Sequence, residues 1–167
     1  MLSLELNEFD EFDIMQNASI GAMCIHSFTR AYQNSKQKGV ILPLAFVVLP
    51  VVLSKTLADQ ISNRKTSLGS LTKVLNEDRT SFVGIQDRMK STYGLTWASI
   101  RLAIKAEMVI LDVNNDCELK SVREGNVTNY HKLSAEVQSM IRASSRLGSW
   151  FGKQGLNEIL STFNLQF

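Results

Sequence analysis

Met108-Val109-Ile110-Leu111-Asp112-Val113, followed at once by Asn114-Asn115-Asp116, is where the hydrophobic period of this chain changes. On either side, apolar residues recur at helical spacing. Here β-branched residues run together and stop at a cluster of turn formers, the pattern of a short strand. Residues 117–123 return with Leu119 and Val122 apolar, so a β-hairpin is expected near 108–123.

Three helical patterns precede the hairpin. Residues 67–75 place Leu68, Leu71, Val74 and Leu75 on one face, and residues 80–92 carry Phe82, Val83, Ile85, Gln86 and Met89. Gly94 is read as a break, after which Thr96 caps a third helix with Trp97, Ile100, Leu102, Ala103 and Ile104 inside. Three short helices followed by a hairpin is the winged-helix order. The expected fold class is therefore mainly α, a helical bundle with a winged-helix-like segment and one β-hairpin.

Further upstream lies VILPLAFVVLPVVL, residues 40–53. As a helix these 14 residues rise about 21 Å, short of a hydrocarbon core of roughly 30 Å. They read as a buried central helix, begun by Pro43 in its first turn and kinked or divided by Pro50, with a more polar helix resuming over 54–62. An earlier helix, capped by Asn17, runs to about Ser35 with Ile20, Met23, Cys24, Phe28, Ala31 and Tyr32 on one face, and Gly39 is read as the breaker beyond it. A long helix over 134–152 and a short one over 156–163 close the chain. The domain reading is an acidic leader over 1–16 and a single compact helical domain over 17–167.

Composition bounds function. The chain has 167 residues, 44% of them hydrophobic and 20% charged, with a formal net charge of +2. That balance supports a core without disulfides or structural metal, and the charge is too small to imply a nucleic-acid partner by itself. Cys24 and Cys117 have no paired spacing, which fits a reduced cytoplasm. The leader carries Glu5, Glu8, Asp10, Glu11 and Asp13, unlike the basic opening of a signal peptide. Neither histidine makes a site: His26 reads as a packed or partly exposed helix residue and His131 as a loop residue. No metal-ligand cluster, Walker-type glycine loop or nucleophile elbow is found, so no cofactor, metal or catalytic residue is expected.

Three segments carry a family resemblance. They are Asn17-Ala18-Ser19-Ile20-Gly21-Ala22, the apolar LPLAFVVLPVVL run and Arg146-Leu147-Gly148-Ser149-Trp150-Phe151. In this order they resemble the middle component of three-component ABC systems, which includes the small subunit of Lamassu-type bacterial defence. Ser19 and a missing proline are the departures in the opening segment. The resemblance covers residues 17–163. It implies a scaffold without chemistry of its own, bridging an SMC-like ABC ATPase subunit and an effector nuclease subunit. It also implies that DNA is met indirectly through that complex, in defence against phage or plasmids.

Candidate interface residues follow. Trp150 and Arg146 are residue types that dominate hot spots, although core packing of Trp150 is the leading reading. Arg142, Arg146 and Lys153 form a basic set that suits an acidic partner or lies on a solvated face. Phe9 and Phe12 make the acidic leader adhesive. For direct DNA contact the sequence offers Arg101 and Lys105 on the candidate recognition helix, opposed by Glu107, with Lys120 and Arg123 on the hairpin. No membrane contact is expected.

Overall fold

The computed structural model describes residues 17–122 and 129–167. Phe9, Phe12, Arg123 and the leader lie outside the described residues.

Helix α1 (Ala18–Lys36) begins where the sequence places it, the Asn17 side chain accepting the Ser19 N–H at 2.8 Å. It ends at Gln37, which takes the left-handed conformation at φ 58°, so Gly39 is not the stop. Gly39 instead lies close against Glu118 and Leu119, with the Leu119 carbonyl oxygen 2.9 Å from where a Cβ would stand.

The apolar run divides into a two-residue strand and two helical pieces: β1 (Val40–Ile41), α2 (Leu42–Ala45) and α3 (Val48–Val52). Pro43 sits in the first turn of α2, as expected. The chain divides before Pro50 rather than at it. Placing Pro50 in the first turn of α3 avoids the lost hydrogen bond and ring clash of an interior proline. The sharp bend comes later, 103° between the segment 42–52 and α4 (Lys55–Ser62). Residues Leu44 to Val52 are all buried, and among the described residues no single helix is long and apolar enough to cross a membrane.

α5 (Leu68–Glu77) follows, and the expected helix over 80–92 is two, α6 (Arg79–Phe82) and α7 (Ile85–Ser91). Gly84 separates them at φ 82°, a conformation costly for a residue with a Cβ, and Val83 at the joint is 75% exposed.

α8 (Tyr93–Lys105) starts three residues before the expected cap. Gly94 lies inside it, and Thr96 is a buried interior residue whose hydroxyl donates to the Thr92 carbonyl at 2.9 Å. The buried face is Thr96, Ser99, Ile100 and Ala103, so Leu102 and Ile104 point outward, each 36% exposed. Helical spacing is kept, but hydroxyl residues stand where apolar ones were sought. Their polarity is satisfied by back-bonding, Ser99 to the Leu95 carbonyl at 2.8 Å.

The hairpin is present, β2 (Val109–Asp112) against β3 (Glu118–Ser121), and β1 adds a third strand. The order is β1-β3-β2, all antiparallel, with Leu119 opposite Leu111 on one side and Val40 on the other. Strand β1 is too short to register as a strand in the sequence. A 3-10 turn (Tyr130–Lys132) leads into α9 (Ala135–Gly152), whose Ser134 cap accepts the Val137 N–H at 3.3 Å. α10 (Leu156–Phe163) closes the chain within its expected limits. Mainly α with a small antiparallel sheet is therefore correct.

Helix α1 is the axis of the core, flanked by α8 and α9. The close approaches are made by glycine. A Cβ on Gly148 would stand 2.2 Å from the Phe28 carbonyl oxygen, and one on Gly21 would stand 2.0 Å from Ser99 Oγ. Phe151 meets Phe28 edge-on at 5.6 Å and Phe163 at 5.1 Å, which joins α1, α9 and α10 in one apolar cluster.

Candidate functional site

The anchor residue proposed by sequence is not on the surface. Trp150 is 0% exposed, and its indole N–H donates to the Lys65 carbonyl at 3.2 Å. One turn on, Lys153 Nζ donates to the Thr66 carbonyl at 2.6 Å. These two side chains fix the linker between α4 and α5 to the end of α9. A fully buried tryptophan gives no contact area to a partner, so the partner-facing reading of Trp150 is corrected to a core one. Gly148 and Phe151 of the same motif carry the α1–α9 contact. The apparent recognition motif is thus a packing motif.

Arg142 is exposed and Arg146 half-buried, both still available to a partner from α9. On α8, Arg101 and Lys105 are exposed. Lys120 differs. Its ammonium donates to Asp112 at 2.7 Å and lies 4.0 Å from Glu118. The hydrogen bond to Lys120 holds the Asp112 carboxyl below its ordinary range, and the same bond raises Lys120. With two carboxylates around one ammonium, this part of the hairpin attracts phosphate poorly.

The side chains suited to chemistry are packed or dispersed. His26 is buried and His131 exposed. Burial pushes the Cys24 thiol up to about 12 against a hydrogen bond with Ser144 that lowers it, so no thiolate forms near neutrality. Among the described residues no three metal-ligating side chains come together.

The structure shows one feature that the sequence reading missed. Phe46, Tyr93 and Trp97 form an aromatic wall, Phe46 stacking on Tyr93 at 5.4 Å and meeting Trp97 edge-on at 5.3 Å. With Leu42, Pro43 and Met89 they line an apolar groove of about 340 Å³. Tyr93 is 56% exposed, and the terminal Phe167 stands at the rim. Tyr93 and Trp97 are four residues apart, on one helical face. Reading Gly94 as a break concealed that spacing.

No curated protein and no solved structure matches this sequence. Residues 7–167 match the family model described as ABC-three component (ABC-3C) system Middle Component 3. The match spans nearly the whole chain, including every element that builds the α1–α9 contact and the aromatic groove. The chain therefore belongs to the ABC-three component system Middle Component 3 family.

Proposed function

We propose that this protein is a non-catalytic bridging subunit of a Lamassu-type defence complex, working in the cytoplasm and holding an SMC-like ABC ATPase to an effector nuclease. Family membership carries the reading, since a middle component works alongside other components. The aromatic groove supports it: large apolar side chains left at a surface, with Lys90 beside them, suit the apolar face of a partner helix. Tyrosine and tryptophan are also the residue types that dominate hot spots.

Affinity purification of the tagged chain from its host tests this. The ATPase and the nuclease are expected to co-elute in fixed proportion, and a Tyr93→Ala/Trp97→Ala variant is expected to lose one of them while keeping its helical circular dichroism. Recovery of the chain alone would count against the reading.

A second reading, a DNA-binding winged-helix regulator or sensor, has one observation in its favour. The sheet order β1-β3-β2, with α8 directly before the β2–β3 hairpin, supports it, since a winged helix would use the helix before its hairpin for recognition. Arg101 and Lys105 are its exposed cations, and Lys120 is neutralised by Asp112. Salt-sensitive duplex binding by the purified protein, lost in Arg101→Ala/Lys105→Ala, would favour it over the bridging role.

A further inference from the structure

Where Gly148 lets α9 touch the backbone of α1, the residues just outside that contact form the walls of a cleft of about 460 Å³. Each helix contributes one row at the same spacing. Ser27, Arg30 and Asn34 stand on α1, at i, i+3 and i+7. Arg142, Ser145 and Ser149 stand on α9, again at i, i+3 and i+7. The described residues that line the cleft include two guanidinium groups and no carboxylate.

Serine inside a helix commonly donates to the carbonyl four residues back, as Ser144 does to Met140 at 2.8 Å. Among the described residues Ser27, Ser145 and Ser149 make no such bond. His26 and Arg30 already have interactions of their own and are not counted among the cleft's available donors. The Arg142 guanidinium, the Asn34 amide and serine hydroxyls that include those of Ser27, Ser145 and Ser149 are left as donors lining one small volume.

We infer that the α1–α9 cleft binds the phosphate group of a small molecule. A phosphate presents three acceptor oxygens, which matches one guanidinium with several hydroxyl and amide donors better than the two oxygens of a carboxylate. The volume lies in the range of small-ligand sites and leaves room for an organic group beside the phosphate. The inference stands apart from the bridging role, since it needs no partner subunit.

The test uses the full-length, isotope-labelled protein in NMR titrations with inorganic pyrophosphate, with adenosine monophosphate and with a glutamate-rich peptide. Saturable shifts are expected for the two phosphates at Ser27, Asn34, Ser145, Ser149 and the Arg142 side chain. Arg142→Ala should weaken them about ten-fold or more, the scale of a lost charge-assisted bond. Its thermal melt should not move, because Arg142 is exposed. Lys132→Ala, outside the cleft, should leave binding unchanged. Shifts scattered over the basic surface, equal affinity in Arg142→Ala, or no saturable shift would overturn the inference. Tighter binding of the peptide at the same residues would overturn the assignment to a phosphate.

Discussion

Replacing Gly148 by alanine adds one methyl group, and the structure makes its effect calculable. The new Cβ would lie 2.2 Å from the Phe28 carbonyl oxygen, 3.0 Å from its carbon and 3.1 Å from Ala31 Cβ. Two of those neighbours are backbone in the middle of a 19-residue helix, so no rotamer change relieves the clash. Helices α1 and α9 must separate, loosening the Phe28–Phe151 contact. Overpacking of this kind costs about 1–3 kcal/mol, and an unyielding neighbour places it near the top of that range. Alanine's better helix propensity returns at most about 1 kcal/mol. The net loss is about 2 kcal/mol, which in a domain of this size lowers the melting temperature by roughly 4–8 °C. Gly69→Ala is the control, because nothing lies within 4 Å of its would-be Cβ, and its melt should stay level or rise slightly. Thermal denaturation followed by circular dichroism reads both. A Gly148→Ala variant that melts at or above the parent would refute the claim that this motif exists for helix contact.

Trp150→Phe removes the indole donor to the Lys65 carbonyl and leaves part of a buried site empty, at a cost of about 1–3 kcal/mol. Trypsin should then cut after Arg64 and Lys65 faster than in the parent, since the linker has lost a tether. Cys117 is exposed while Cys24 is buried with its thiol pushed up to about 12, so an alkylating reagent at pH 8 should label one cysteine quickly in the folded protein and both after unfolding. The Asp112 carboxyl, held low by Lys120, should titrate below its ordinary value of about 3.9 and move back toward it in Lys120→Ala. Its stabilisation of the hairpin is present above the unfolded value and is lost as pH falls through the folded one. Lys120, raised by Asp112, contributes below its unfolded value near 10.4 and loses that contribution as pH rises through its folded one. Carboxyl-carbon NMR across the acid range checks the first half.

Most elements were legible because their boundaries rest on local chemistry. Asn17 and Ser134 cap helices through their own side chains, and the change of period at residue 108 marks the hairpin. The errors cluster where local rules compete. Gly94 looked like a breaker, but in the first turn of α8 a glycine is tolerated and the helix begins before it. Thr96 looked like a cap because its hydroxyl could serve as one, yet it is buried against its own helix. β1 is two residues at the head of an apolar run, and its partner β3 lies far along the chain. The surface was the least legible part. Trp150 and Trp97 are alike in the sequence, and only packing separates the core residue from the groove residue. The paired Ser-Arg rows of the α1–α9 cleft exist only once two distant helices are brought together.

The central claim, that this chain joins two other components, is tested most directly by leaving it out. The ABC ATPase and the nuclease proposed as its partners should be purified separately, then mixed with and without this protein and resolved by size-exclusion chromatography with light scattering. A single species containing all three is expected in its presence, with the ATPase and nuclease eluting apart in its absence. An ATPase–nuclease complex that forms equally well without it would contradict the account.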